Sequence, residues 1–265
     1  MSWFLNKKIW VTGASSGIGK ALAEELAQQG ASLVLSSRRQ EVLEQLKSTL
    51  RNPAQHRVVP LDLERYDTLA EIVNKTLPDS GPIDILINNA GISQRELAME
   101  TKLEVDRKLM DINYFGTIAM SKALLPDMIK RGSGSIVCVS SVAGIMGTQL
   151  RTGYSGSKFA VHGYMEGLRA ELHQHGIQVL VAAPGYVNTD VALNALNGHG
   201  ESARLKDQNN LNGISPEACA LSLMRAIERG KHEVVIGKGA SRIAPWIKRI
   251  SPALTRQIQR KYTDG

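Results

Sequence analysis

The sequence predicts an α/β fold: a doubly wound parallel sheet of about seven strands with helices on both faces, formed by a single domain. Short β-rich segments alternate with longer amphipathic segments along most of the 265 residues, and strands separated by helices imply parallel crossover connections. The run Ile85-Leu86-Ile87 is apolar throughout, which fits a strand buried on both faces. No linker rich in Pro, Gly or Ser and no internal repeat divides the chain.

Each strand is predicted where a short apolar, β-branched run is bounded by polar or turn residues. In order, the predicted strands are Lys8–Thr12, Ser32–Ser36, Arg57–Leu61, Ile83–Asn88, Ser135–Ser140, Gln178–Ala182 and Glu233–Ile236. Each helix is predicted where apolar residues recur at helical spacing between two strands. In order, the predicted helices are Gly17–Gln29, Arg39–Leu50, Tyr66–Leu77, Leu103–Lys130, Ser155–His175 and Pro216–Arg229. The segment Tyr186–Gly213 is the least regular and follows a late strand, so we interpret it as a lid over a ligand site.

The positive charge of the chain is concentrated at its C-terminal end. The sequence has 32 Lys and Arg against 25 Asp and Glu, a formal net charge of +7. Residues 238–265 contain seven basic residues and one acid, which leaves 25 basic and 24 acidic residues in 1–237. The extension therefore carries +6 and the body only +1. We predict a domain over residues 1–237 and a basic C-terminal extension over 238–265, and we expect no nucleic-acid-binding body.

The extension also carries an apolar pattern with three- and four-residue steps: Ile243, Trp246, Ile247, Ile250, Leu254 and Ile258. We favour a terminal segment that packs on the body or on a neighbouring subunit, because Pro245 and Pro252 are expected to interrupt a continuous helix. A basic amphipathic segment is also suited to peripheral contact with an anionic membrane surface. A third alternative is that the extension forms part of the wall of a ligand pocket.

Two cysteines, Cys138 and Cys219, form no CxxC or Cys/His cluster, so we expect neither a disulfide framework nor a metal site. Cys138 lies in an apolar run and is expected to be a buried thiol. The N-terminal residues lack the apolar stretch of a signal peptide, and no run approaches the ~18 apolar residues of a membrane span. We therefore expect a cytoplasmic location.

The first predicted strand leads directly into a glycine-rich turn that precedes an amphipathic helix. The turn reads Thr12-Gly13-Ala14-Ser15-Ser16-Gly17-Ile18-Gly19, with the spacing GxxxGxG. Glycine permits positive φ and close approach to a phosphate, and the helix N-terminus adds free N–H groups and partial positive charge. The position after the first strand favours a dinucleotide site over a turn without a ligand, and no P-loop motif occurs.

Further motifs follow this loop in order. They are Asp62-Leu63 after the third strand, Asn88-Asn89-Ala90-Gly91 after the fourth, Asn113 in the next helix, Ser141 after the fifth, the YxxxK pair Tyr154 and Lys158, and Pro184-Gly185 with Thr189 after the sixth. The ordered set resembles the short-chain dehydrogenase/reductases over about residues 5–237. The resemblance implies a Rossmann-type fold and an oxidoreductase that transfers hydride between a nicotinamide and a carbonyl or secondary alcohol substrate.

By resemblance, one group of residues binds the cofactor. The glycine loop would enclose the pyrophosphate and adenosine ribose, the segment after the third strand would flank the adenine, and the later loops would line the rest of the cofactor. The residues so implied are Gly13, Ser15, Ser16, Gly17, Ile18, Gly19, Asp62, Leu63, Asn89, Ala90, Gly91, Tyr154, Lys158, Pro184, Gly185, Val187 and Thr189.

The residues after the second strand favour NADP(H) over NAD(H). NAD-specific members of the family usually have an acid there, whereas Ser37 occupies that position here and is followed by Arg38 and Arg39. An acid would repel a 2′-phosphate, and arginine can pair with it in bidentate geometry. The alternative is that both arginines are solvated charges at the start of a helix.

The resemblance implies four catalytic residues: Asn113, Ser141, Tyr154 and Lys158. Residues four apart share one face of a helix, and a cation near a tyrosine, whose ordinary pKa is ~10, favours its ionised form. The family mechanism makes Tyr154 the general acid/base and Ser141 the hydrogen-bond partner of the substrate oxygen. It makes Lys158 a ligand of the nicotinamide ribose and Asn113 the holder of a water in a proton relay.

The substrate is expected to be a medium-sized, partly apolar ketone or alcohol. Thr148, Gln149, Leu150 and Arg151, just before the catalytic tyrosine, are further candidate pocket residues. By resemblance, the long helices after the fourth and fifth strands pair with another subunit in a homodimer or homotetramer. A catalytically silent NADP(H)-binding regulatory or scaffold protein of the same fold is the alternative function, and the complete set of four catalytic residues argues against it.

Overall fold

The sheet is parallel throughout and seven strands wide in the residues that the computed structural model describes, 2–204 and 207–261. Its strands are β1 (Lys8–Thr12), β2 (Ser32–Ser36), β3 (Arg57–Val58), β4 (Ile85–Asn88), β5 (Gly134–Val139), β6 (Ile177–Pro184) and β7 (Glu233–Ile236). Their order is β3-β2-β1-β4-β5-β6-β7, so the direction of winding reverses between β1 and β4. The doubly wound α/β prediction is confirmed, and the reversal marks where such sheets bind ligands.

β3 differs most from its predicted bounds. It was expected to reach Leu61 but ends at Val58, and the proline ring of Pro60, which fixes φ at about −65°, takes the backbone out of regular strand geometry. The chain still follows β2 beyond this point, since the N–H of Leu61 donates to the carbonyl of Ser37 at 3.2 Å. β1, β2 and β7 have the predicted bounds, and the other strands differ by one or two residues at their ends.

Helices lie on both faces of the sheet. They are α1 (Gly17–Gln28), α2 (Gln40–Thr49), α3 (Leu69–Ser80), α4 (Leu103–Met110), α5 (Gly116–Arg131), α6 (Thr152–Leu172), α7 (Gln208–Leu211), α8 (Pro216–Glu228), α9 (Ala240–Ile250) and α10 (Pro252–Lys261). α3 begins later than the predicted Tyr66 because residues Leu63–Thr68 form a 3₁₀ turn that is kinked at Arg65. Asp62 caps this turn, its carboxylate accepting from the N–H of Glu64 at 3.1 Å.

The helix predicted over Leu103–Lys130 is present and unbroken, but it is not α-helical throughout. Residues Asp111–Phe115 form a π-helical turn between α4 and α5. Asn113 lies in this turn and is fully buried, and its carbonyl accepts a hydrogen bond from Thr117 Oγ1 at 2.8 Å. Such turns widen the helix locally and often occur at functional sites.

Each face of the sheet has its own apolar core. On one face, Leu22 of α1 and Leu223 of α8 are buried in a cluster with residues of the central strands. On the other, Val73 of α3, Leu124 of α5 and Met165 of α6 are buried in a second cluster. The continuous apolar strands predicted from the sequence are therefore covered on both sides.

The C-terminal extension forms α9 and α10, and one of the two expected interruptions is absent. Pro245 lies inside α9, although it was expected to interrupt the helix. Its ring is buried, so packing offsets the one backbone hydrogen bond that a proline removes. Pro252 is the first residue of α10, a position at which a proline leaves no helical bond unmade.

α9 and α10 are attached to the body by side chains. Lys248 Nζ lies 4.5 Å from the centre of the Phe159 ring, and Gln259 Nε2 donates to the carbonyl of Gly147 at 2.6 Å. The side chain of Ile258, the last residue of the predicted apolar pattern, lies outside the described residues. Within the described part of the chain, no helix is long and apolar enough to cross a bilayer.

We expect Leu22→Ala to lower the free energy of unfolding by about 2–5 kcal/mol, because truncating a fully buried leucine loses apolar burial and leaves a cavity. The same substitution at Leu103, which is 70% exposed, should change it by less than about 0.5 kcal/mol. Urea denaturation followed by circular dichroism measures both variants. Equal losses would contradict the assignment of Leu22 to the core.

Candidate active site

A cavity of about 690 Å³ lies at the carboxyl ends of the central strands, where the strand order reverses. Most of the predicted site residues line it: Gly13, Ser15, Ser16, Gly17, Ile18, Ser37, Arg38, Arg39, Asp62, Leu63, Asn89, Ala90, Gly91, Ser141, Tyr154, Lys158, Pro184, Gly185, Val187 and Thr189. Gly19 and Asn113 are not part of the lining. The fold thus brings segments from almost the whole length of the body to one place.

The glycine loop after β1 adopts a backbone that suits glycine. Gly13 and Gly17 have φ of 68° and 54°. A Cβ on Gly13 would lie 2.8 Å from the Cα of Ala90, so the loop and the turn after β4 can approach only without a side chain. Gly19 has a packing role, because a Cβ there would overlap the carbonyl oxygen of Gly13. The first turn of α1 therefore borders the cavity, an arrangement suited to a phosphate.

Thr12 ties the turn after β1 to the turn after β4. Its Oγ1 accepts hydrogen bonds from the N–H groups of Asn89 and Ala90, both at 3.1 Å. Asn89 Nδ2 donates back to the carbonyls of Thr12 at 3.0 Å and Gly13 at 3.3 Å. Thr12 does not itself line the cavity, and it holds together two of the segments that do.

Ser37, Arg38 and Arg39 lie together in the cavity wall. Arg39 Nη2 donates to Ser15 Oγ at 2.9 Å, and the Arg39 N–H donates to Ser37 Oγ at 3.1 Å. The Arg39 guanidinium is thus held against the glycine loop beside a small hydroxyl. A cationic group with free donors next to hydroxyls is suited to a phosphate monoester.

Tyr154 and Lys158 lie one turn apart on α6. Lys158 is only 5% exposed, and its Nζ is 5.9 Å from the centre of the Tyr154 ring. Nζ donates to the carbonyl of Val139, at the end of β5, at 3.1 Å. A Cβ on Gly91 would lie 3.3 Å from Nζ, so glycine there leaves room for the ammonium. A buried ammonium is costly unless it is hydrogen-bonded, and the Val139 carbonyl fixes where it sits.

Ser141 follows β5 and caps the 3₁₀ turn Val142–Gly144. Its Oγ accepts from the N–H of Ala143 at 3.1 Å and lies 3.4 Å from the carbonyl of Pro184. These contacts fix the hydroxyl between the ends of β5 and β6, in the wall of the cavity.

The Asn113 side chain is outside the cavity lining and holds two segments of the cavity wall together. Its Oδ1 accepts from the N–H of Ile92, and its Nδ2 donates to the carbonyl of Ile92 and to Ser157 Oγ, each at 2.9 Å. The amide therefore joins the loop after β4 to the residue that precedes Lys158.

Two other titratable groups lie near Lys158. Burial raises the pKa of the Cys138 thiol to about 11, against the opposite effect of the Lys158 charge. Burial lowers the pKa of His162 to about 4, and the charges of Lys158 and Arg169 act in the same direction. Both groups are therefore neutral near pH 7, and the prediction of a buried thiol at Cys138 is confirmed.

The predicted lid borders the cavity and is tied to its wall by a buried ion cluster. Asp207 accepts hydrogen bonds from Arg151 Nη2 at 3.0 Å and from Arg95 Nη2. All three residues are largely buried. Arg151 was a predicted pocket residue, as were Thr148 and Gln149, and these three line the cavity, whereas Leu150 does not. Sequence reasoning missed Arg95 and Asp207, which are 112 positions apart and form no local pattern.

The C-terminal extension completes another part of the wall. Ala240, Ser241 and Ala244 of α9 and Gln259 of α10 line the cavity. A Cβ on Gly185 would lie 2.5 Å from the Cβ of Ser241, so α9 can approach the end of β6 only because Gly185 has no side chain. The structure places the extension where the third sequence alternative expected it.

Comparison with known proteins gives one consistent result. The family model of the short chain dehydrogenases matches residues 7–198. A dehydrogenase/reductase SDR family protein 7-like of Anopheles gambiae is 39% identical over 264 residues, which cover 97% of this chain and 83% of that protein.

Two solved structures have the same fold. A short chain dehydrogenase from Burkholderia cenocepacia in complex with NADP has 27% identity and a TM-score of 0.79, covering 97% of this chain and 99% of its own. A short chain dehydrogenase/reductase from Burkholderia phymatum in complex with NAD has 22% identity and a TM-score of 0.82, covering 100% and 98%. The ordered motifs, their assembly around one cavity and these matches show that the chain belongs to the short-chain dehydrogenase/reductase family of oxidoreductases.

Proposed function

We propose that the protein is an NADP(H)-dependent oxidoreductase that interconverts a carbonyl compound and a secondary alcohol, with Tyr154 as general acid/base. The observation that carries this proposal is that Ser141, Tyr154 and Lys158 line the same cavity as the glycine loop. A cofactor on the loop and a substrate beside Ser141 then share one enclosed space, which favours direct transfer between them.

The cavity fits a nicotinamide dinucleotide. Positive φ at Gly13 and Gly17 leaves the loop backbone open to a pyrophosphate, and Gly91 leaves space in front of the Lys158 ammonium. When bound, the nicotinamide supplies or accepts the hydride. Solved relatives in complex with NAD and with NADP both support a nicotinamide cofactor. The preference for NADP(H) rests on Ser37, Arg38 and Arg39 of this chain.

The proton is handled by Tyr154. It donates to the carbonyl oxygen during reduction and accepts from the alcohol during oxidation. Ser141 Oγ donates a hydrogen bond to the same oxygen and stabilises the charge that develops on it. The Lys158 charge stabilises negative charge on the phenol oxygen during the transfer, and we propose that its ammonium also binds the ribose hydroxyls.

Asn113 acts through its neighbours in this scheme. Its side chain holds Ile92 and Ser157, and we propose that it positions the helix that carries Lys158. The water relay implied by the family stays a prediction for this chain, as does a cytoplasmic location.

The substrate side of the cavity is mixed in character. Met146, Val191 and Leu196 contribute apolar wall, and Arg95 and Arg151 contribute charge. We propose a medium-sized, partly apolar ketone or alcohol as substrate. We also propose a homodimer or homotetramer, since Phe115 and Phe159 leave apolar surface exposed on the helices that the family uses for assembly.

Tyr154→Phe should lower kcat by about 100- to 10,000-fold, because it removes the proton donor and keeps the ring. Tyr66→Phe, which also removes a partly exposed phenol hydroxyl, is the matched control and should leave kcat unchanged. NADPH oxidation against a panel of carbonyl compounds measures both, and NADPH binding should persist in both variants. Full activity of Tyr154→Phe would overturn the mechanism. Tight NADPH binding by a wild-type protein that turns over no carbonyl compound would favour the silent alternative.

Arg39→Gln should weaken NADPH binding by roughly 10- to 100-fold, because it removes a charge-assisted hydrogen bond to the 2′-phosphate. NADH binding should hardly change, and Ser37→Asp should move the preference toward NADH by repulsion. Arg229→Gln, at the exposed end of α8, is the matched control. Fluorescence titration of the wild type and the three variants with NADPH and with NADH gives the dissociation constants. Equal loss of NADPH and NADH binding in Arg39→Gln would contradict a 2′-phosphate contact.

Asp207→Asn should raise KM for the carbonyl substrate about tenfold, because the charge that binds Arg95 and Arg151 to the lid is lost. The dissociation constant of NADPH should stay the same. Glu201→Gln, at an exposed residue of the same lid that is not part of the cavity lining, is the control for the substitution. Steady-state kinetics gives KM, and the rate of limited trypsin digestion reports how accessible the lid is. An unchanged KM and an unchanged cleavage rate would show that the cluster does not hold the lid.

A further inference from the structure

The outer face of α9 carries large apolar side chains that nothing in the described chain covers. Ile243, Trp246 and Ile250 are 57%, 58% and 83% exposed, and their spacing puts them on one face of the helix. We call these three residues the α9 stripe. The inner side of the same helix lines the cavity and buries Pro245, so the helix is fixed on the body with the stripe facing outward.

Positive charge lies along one border of the α9 stripe. Arg242 and Arg249 are exposed on the same flank of the helix, and Lys238 and Arg256 are exposed before and after α9 in the chain. Residues 234–261 contain seven basic residues and no acid. Lys248 points toward the body instead of outward, because its ammonium lies over the Phe159 ring. The surface is therefore an apolar stripe with a cationic border on one side.

We propose that the α9 stripe docks on the surface of an anionic lipid bilayer. A helix with an apolar face and basic neighbours lies in the plane of a membrane interface, with its apolar side chains below the headgroups and its cations at the level of the lipid phosphates. A tryptophan at the centre of the stripe is suited to that boundary, because its ring is apolar and its N–H needs a polar partner.

The charge distribution disfavours a second copy of the chain as the occupant. A two-fold contact between antiparallel copies of the stripe would place Arg242 and Arg249 opposite the same residues of the partner, and like charges across an interface disfavour binding. An anionic bilayer complements the cations and accepts the apolar side chains at once. The docking proposal does not depend on the reaction proposed for the cavity.

Co-sedimentation of the full chain with sucrose-loaded vesicles tests the proposal. We expect binding to vesicles of phosphatidylcholine with one quarter phosphatidylglycerol, little binding to pure phosphatidylcholine, and loss of binding in 0.5 M salt. Each of Arg242→Gln and Arg249→Gln should weaken binding roughly fivefold. In a Trp3→Phe background, which leaves buried Trp10 and exposed Trp246, the emission should shift to shorter wavelength when anionic vesicles are added.

The substitutions Ile243→Ser, Trp246→Ser and Ile250→Ser remove the stripe, and each should weaken vesicle binding while leaving NADPH binding unchanged. Met99→Ser removes an equally exposed apolar side chain, 84% accessible, from a surface outside the extension and should leave vesicle binding intact. Equal binding to neutral and anionic vesicles, no binding to either, or equal effects of Met99→Ser and Ile250→Ser would overturn the proposal. A shift of sedimentation velocity toward the monomer in Ile250→Ser would assign the stripe to self-association instead and would also overturn it.

Discussion

The site depends on the hydrogen bonds by which Thr12 joins the ends of β1 and β4. These strands are neighbours in the sheet, but the chain connections that follow them go to opposite faces, so nothing in the winding itself holds the two turns together. The Thr12 hydroxyl accepts from two successive N–H groups, and the Asn89 amide closes the arrangement from the other side. Gly13 can then lie against Ala90, and the glycine loop acquires a fixed distance from the rest of the cavity.

A few hydrogen bonds also position the reacting groups. Lys158 donates a hydrogen bond to the Val139 carbonyl at the end of β5, and Ser141 lies two residues after that strand. Asn113 binds Ile92 and Ser157 from within a π turn, which links the loop after β4 to α6. Two strands and one helix are thereby held by three polar side chains, all buried or half-buried. These hydrogen bonds connect the site directly to the sheet.

Much of this arrangement could be predicted from the sequence because its signals are local. The glycine loop lies within eight residues, Tyr154 and Lys158 within one helical turn, and most strand ends follow apolar runs. The cluster of Arg95, Arg151 and Asp207 could not be predicted, because its members are 56 and 112 positions apart and meet only after the fold is complete. The π turn was missed because it changes the hydrogen bonding of a helix without changing its apolar periodicity. The interruption expected at Pro245 is absent because the burial of its ring, a tertiary effect, outweighs the tendency of proline to break a helix.

The close approach of α9 to Gly185 has a consequence for the order in which the site is assembled during synthesis. The glycine loop, the residues after β2 and β4, the α6 pair and Thr189 have all left the ribosome before residue 240 is made. The wall supplied by α9 and by Gln259 of α10 is therefore the last part of the cavity lining to be synthesised.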